Sequence, residues 1–178
     1  MSMCNICLIF LLGMPFLTFG QEHQHRSDPL ECTKLPPDLK AIVTIMDGPG
    51  SKLEAQAARA EMSLLSPALR RLDVVLHPTN RVSLTAASKT AEKVEGTFAG
   101  LLLFSVPQDG NYRVSSDTAL WMDVLDQDKA LERTTLNRRI QCGRVHKSLG
   151  FGLKAGVKYW LQLSGSKTRE VQVMITPE

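Results

Sequence analysis

From residue 81 to the end of the chain, apolar side chains recur at every second position in short runs, and a turn signal follows each run. Val82, Leu84 and Ala86 alternate with polar neighbours. Thr97 to Val106 is almost continuously apolar, as a buried strand would be. Gln108-Asp109-Gly110-Asn111 has hairpin-turn chemistry, and Tyr112 and Val114 continue beyond it. Leu120 to Leu125 is the next run, and Asp126-Gln127-Asp128 turns it toward Lys129 to Arg133. Further on, Val145, Leu149, Phe151 and Leu153 share one parity; Arg144, His146, Ser148, Gly150 and Gly152 share the other. A strand has a two-residue period, so one set faces inward. Lys147 stands on the apolar parity, so either a bulge intervenes or the lysine is paired. After an Ala155-Gly156 turn, Val157, Tyr159, Leu161 and Leu163 make another inward face, and Val171, Val173 and Ile175 the last. About eight short strands with turns roughly every ten residues predict a mainly β domain over 81–178. The expected form is an antiparallel β-sandwich, jelly-roll-like, with a closed barrel as the alternative.

The first half of the chain reads differently. Residues 1–20 carry no charge, and Cys7 to Phe19 is almost wholly apolar before Gly20. That length suits a signal-peptide core better than a membrane span, although the usual positive start is missing. Cys4 and Cys7 come too early for a lipoprotein cysteine. The chain is therefore expected to be exported, periplasmic or secreted, with cleavage near Gly20 and no other membrane association. Residues 21–50 form a polar extended arm with His23, His25, Pro29, Pro36 and Pro37, in which Pro36-Pro37-Asp38 starts a short helical turn through Ile42. Residues 51–80 are expected to be a helical extension. Ser51 and Glu54 have capping-box spacing, and Leu53, Ala57, Ala60 and Leu64 fall on one face of a helix over 52–65.

Export changes the cysteine arithmetic. With the leader gone, Cys32 and Cys142 remain, and an even pair in an exported protein reads as a disulfide. Such a bridge closes a loop of about 110 residues, which chain entropy values at roughly 4 to 5 kcal/mol. Cys142 and His146 do not read as a nucleophile and base. Four residues apart on a strand they are separated by roughly 13 Å.

Charge excludes one large class. The formal net charge is +3, and no basic run exists, so nucleic-acid binding has no electrostatic footprint. Arg70-Arg71 and Arg138-Arg139 are the densest basic pairs and read as solvated surface. There is no glycine-rich phosphate loop, no zinc pattern and no nucleophile elbow. No catalytic residue and no cofactor are expected. Three candidate features remain. Asp123 and Lys147 sit in apolar strands and are a candidate ion pair. Trp160, Trp121 and Tyr112 are candidate ligand-stacking residues, with Trp160 on the polar parity. His23, third after the expected cleavage, has the position of a square-planar copper or nickel ligand, although Gln21 at a new N-terminus can cyclise. The partners these features imply are an envelope protein or a glycan.

The residues also carry a resemblance. Gly96 to Phe98, Phe104, Gly110-Asn-Tyr112, Trp121-Met-Asp123-Val124, Cys142, Val145-His-Lys147, Leu153-Lys-Ala-Gly156 and Tyr159-Trp-Leu-Gln-Leu163 resemble a group of small exported Gram-negative bacterial proteins. Cys32 and Leu35-Pro-Pro37-Asp-Leu39 resemble it too. The domain of that group is similar to the bacterial pre-peptidase C-terminal β-sandwich. Some of its members carry the label homogentisate 1,2-dioxygenase, an activity that uses iron held by two histidines and a carboxylate. Here the histidines outside the leader are His23, His25, His77 and His146, and no two form a ligand pair on a core strand. The reading that fits the residues is a non-catalytic binding or accessory module; a carbohydrate-binding module is its more specific form.

Overall fold

Alternation of apolar and polar side chains makes each strand two-faced, and two sheets bury their apolar faces against each other. The structure, a computed structural model, describes residues 30–59, 65, 70–85 and 95–178. The expected leader, its cleavage point and the candidate ligand His23 lie outside the described residues.

In chain order the strands are β1 (Leu30–Glu31), β2 (Gly50–Glu54), β3 (Arg71–Val75), β4 (His77–Pro78), β5 (Phe98–Phe104) and β6 (Gly110–Ser116). They continue with β7 (Trp121–Asp126), β8 (Lys129–Ala130), β9 (Thr135–Cys142), β10 (Val145–Leu153), β11 (Tyr159–Ser166) and β12 (Glu170–Pro177). One sheet has seven strands in the order β1-β9-β10-β6-β12-β3-β2, and the other has five in the order β4-β5-β11-β7-β8. Every pairing is antiparallel except β1 with β9 and β2 with β3.

The inner faces supply one continuous core. Val114, Leu149, Phe151, Val173 and Ile175 come from the larger sheet, and Phe104, Met122, Val124, Leu161 and Leu163 from the smaller. The Phe104 and Tyr159 rings meet with centroids 5.7 Å apart. The turn at 108–111 does not close a hairpin. It carries the chain from β5 in the small sheet to β6 in the large one. Tyr112 lands in that core, 4% exposed, and its hydroxyl donates to the Gln108 carbonyl.

The outer face of the large sheet is covered by helix α1 (Pro37–Met46), which opens on Pro37 with its φ already helical. Leu39, Ile42 and Met46 pack on Ile140, Val145 and Met174. Arg113, on β6, ties this layer down. Its guanidinium lies 2.7 Å from the Asp38 carboxylate on α1 and 3.3 Å from Glu178.

The short helical turn expected from Pro36-Pro37-Asp38 is α1, which runs on past Ile42 to Met46. The helical extension anticipated over 51–80 contains β2, β3 and β4 instead, and of the helix anticipated over 52–65, residues 60–64 lie outside the described residues. Ser51 and Leu53 are half-buried and alternate with exposed Gly50, Lys52 and Glu54, which is a strand pattern. Parallel pairing along β3 gives those five residues ladder hydrogen bonds that the local capping-box signal does not foretell. Residues 82–85 are likewise not a strand, though Val82 is buried.

Cys32 and Cys142 are disulfide-bonded, with Cα atoms 4.9 Å apart. Cys32 begins a short 3₁₀ turn directly after β1, and Cys142 ends β9, so the bond locks the N-terminal segment to that strand. Reduction, or the paired Cys32→Ser and Cys142→Ser substitutions, is expected to cost at most roughly 4 to 5 kcal/mol, set by loop length. Urea denaturation with and without reductant measures the loss.

Candidate functional site

The pairing of β9 with β10 is interrupted. Val145 faces Cys142 and Lys147 faces Arg138, so four steps of β9 run beside two steps of β10. The extra residues form a bulge, and within it Arg139 has φ 54°, the left-handed region that a side chain rarely enters. Bulges re-aim side chains, and a strained non-glycine residue is a pointer to function. The disulfide stands three residues further along the same strand.

The bulge forms one wall of a cleft of about 430 Å³ at the end of the sandwich where β6 passes to β7. Arg138, Arg139, His146 and Lys147 line it from the large sheet, Arg133 from the connection before β9, and Trp121 from the small sheet. Trp121 is 50% exposed, the most open of the large apolar side chains among the described residues. Its indole has Lys147 beneath it, the ammonium 5.2 Å from the ring centroid. Gly165 flanks the ring. It has φ +71°, and a Cβ there would meet the indole Cδ1 at 3.1 Å.

Lys147 is 8% exposed, and its ammonium donates to the Leu120 carbonyl at 3.0 Å. Both expected explanations of its parity therefore hold in part: a bulge lies beside it, and its charge is satisfied. Burial pulls its pKa below the ordinary 10.5, and repulsion from Arg133 and Arg138 pulls the same way; the Asp123 carboxylate opposes them and is outweighed. The hydrogen bond of the Lys147 ammonium goes to Leu120, and Asp123 acts on it as a favourable charge.

The anticipated aromatic triad is not assembled. Tyr112 is core. Trp160 is half-buried on the outer face of the small sheet, packed against Val82, Ala99, Leu101 and Leu84. Arg59 lies over it, 5.9 Å from the centroid, held by the Asp128 carboxylate at 2.7 Å, the Gln127 carbonyl at 2.6 Å and the Thr85 hydroxyl. Trp121 pairs with Ser164, four residues along β11 from Trp160, which is roughly 13 Å at strand rise. Of the three, Trp121 is the one with an exposed ring.

Other candidates settle as structure. The Cys142 sulfur is taken by Cys32, so it is no nucleophile. His77 shares a 2.7 Å hydrogen bond with the Ala55 carbonyl and lies on the small sheet, whereas His146 lies on the large one. Among the described residues no three His, Cys, Asp or Glu side chains are grouped to hold a metal ion. Asp117 accepts the Gln172 backbone N–H at 2.9 Å, and burial pushes its carboxyl up.

The sequence reading placed Arg138-Arg139 on solvated surface and did not connect them with Arg133 or Lys147. The available signal was Lys147 on an apolar parity; the bulge that gathers the other cations has no local signature. No protein-family model, curated protein or solved structure matches the chain.

Two outcomes follow from this geometry. Gly165→Ala is expected to cost roughly 1 to 2 kcal/mol, because the left-handed backbone penalises a Cβ, and to shift Trp121 fluorescence. For Lys147, the folded pKa lies below the unfolded one. Between those values the unfolded chain keeps a proton that the folded chain has released, so this group's contribution to stability rises with pH. Urea unfolding at about pH 8 and about pH 10 should show wild type gaining on Lys147→Met.

Proposed function

We propose that this protein is an exported, non-catalytic β-sandwich binding module that works at the cell envelope, periplasmic or secreted, and that it holds a glycan in the cleft under Trp121. The observation that carries this reading is Trp121 itself, half exposed at the mouth of a cleft on a rigid sheet. An indole in that position offers a flat apolar face to the C–H face of a pyranose ring, with donors around it to take the hydroxyls. Among the described residues the lining contains Arg, Lys and His side chains and no carboxylate. That composition suits holding a ligand rather than cleaving a glycosidic bond, which uses two carboxylates.

Export is supported by the apolar 1–20 segment and by the Cys32–Cys142 bond, which persists in oxidising compartments. Two face-packed antiparallel sheets support the finer assignment to the pre-peptidase C-terminal-like, jelly-roll-like class. The ring-cleaving dioxygenase label draws no support from the donor set, since the described residues offer no grouping of two histidines and a carboxylate.

A glycan array followed by titration calorimetry tests the proposal. Trp121→Ala is expected to weaken binding at least about tenfold, as truncation of a central aromatic anchor does. Its melting temperature should stay near wild type because the side chain is half exposed. Trp160→Ala, at a tryptophan already covered by Arg59, should leave affinity unchanged. Absence of any glycan ligand, or equal binding by Trp121→Ala, would sink the proposal.

A further inference from the structure

Three separate costs coincide at the cleft, and none of them helps the sandwich to fold. Arg139 occupies a left-handed backbone conformation that a glycine would adopt freely. Arg138 and Lys147 are directly opposed cross-strand partners; like charges so placed repel and destabilise a ladder. Lys147 holds its charge at 8% exposure with Arg133 and Arg138 acting against it. A stability-driven sequence would remove each cost with a single change, yet all three fall on one cavity wall. An anion in the cleft offsets the second and third and gives the first a purpose, because Arg139 lines the same space.

Resting on the glycan-module reading above, we propose that the ligand is an acidic glycan, a pyranose carrying an oxyanion. The ring stacks on Trp121, and the oxyanion is taken by Arg138, Arg139 and Lys147, with Arg133 at the rim. Guanidinium groups match a carboxylate or phosphate with two parallel hydrogen bonds. The Trp121 ring and the cations border one cavity of about 430 Å³, so a single sugar unit engages both. The disulfide keeps the arginine-bearing end of β9 fixed, so the cations are held in position before the ligand arrives.

The test is calorimetric titration of the full exported chain with four probes: an oligouronate, a hexose phosphate, a neutral oligosaccharide of equal length, and a single-stranded oligodeoxynucleotide. The oligouronate or the hexose phosphate should bind, and which of the two does so distinguishes carboxylate from phosphate as the oxyanion. Binding should weaken as salt rises from about 50 to about 500 mM, since the Debye length contracts over that range. Arg138→Gln and Lys147→Met should each lose about tenfold or more in affinity, the loss of a charge-assisted contact. Arg139→Gly is the control for folding: it relieves the backbone, so it should melt no lower than wild type while still losing affinity.

If the neutral oligosaccharide binds as tightly as the acidic ones, the acidic specificity is wrong and the glycan module stands. If the oligonucleotide binds at least as tightly as the acidic sugars, the cleft is a general polyanion site and the inference falls. If no saccharide binds at all, both readings fall together. Unchanged affinity in Arg139→Gly and Arg138→Gln would also overturn the assignment of the oxyanion to these residues.

Discussion

The mutual burial of two apolar sheet faces governs this protein. Phe104, Leu161 and Leu163 on one side and Phe151, Leu149 and Val173 on the other are at most 1% exposed, and their alternation with polar neighbours leaves one register per strand. The strand ends are therefore held where the core puts them. Val145 packs under α1, while Lys147, two residues on, reaches the cleft from a strand whose register Leu149 and Phe151 fix. The bulge lets Val145 pack on the outer face, against the inward parity expected of it, and leaves β10 and β6 in step from Lys147 to Leu153.

The disulfide acts on the same region from outside. β1 pairs with β9 at Ile140 and Gln141, inside the bulged stretch, and Cys32 follows β1 directly. A bulged strand whose outer neighbour is only two residues long has few ladder bonds to hold it, and β9 is polar along much of its length. Covalent closure of a loop with sequence separation 110 and a parallel strand laid along the outer side replace what packing does not supply. The cysteine pair and the cation cluster thus belong to one arrangement: the bond secures the strand whose distortion presents the arginines.

Much of the fold was legible from periodicity, because β5, β7, β10, β11 and β12 bury one parity against the opposite sheet. The disulfide was legible from counting. What escaped has identifiable physical causes. In β2, one apolar residue in five and a Ser-to-Glu spacing imitate a helix start, and only the ladder along β3 decides otherwise. In β9, Arg138 and Arg139 are exposed as their sequence suggests, but the bulge that sets them beside Lys147 has no local signature. Trp160 points outward, as its parity predicts; the cover provided by Arg59 and by Val82 and Leu84 comes from sequence positions far away. The site was invisible as a cluster because its cations come from a loop and two strands. Lys147 alone announced it, as a charge where an apolar residue belonged.

That the site lies at an end of the sandwich follows from how the faces are used. The outer face of the large sheet carries α1, with Leu39, Ile42 and Met46 buried on it. On the small sheet, Ala99 and Leu101 are buried beneath Val82 and Leu84, and Arg59 crosses Trp160. The two inner faces are core. A concave surface with an exposed aromatic ring can then form where connections leave the sheets, and there backbone irregularity costs the core nothing. The connection from Ser116 to Trp121 does this: it crosses from the large sheet to the small one, brings the Leu120 carbonyl to the Lys147 ammonium, and sets Trp121 above it. One crossing thereby satisfies the buried charge and roofs it with an indole, so the feature that makes Lys147 tolerable in the fold also builds the stacking surface beside the cations.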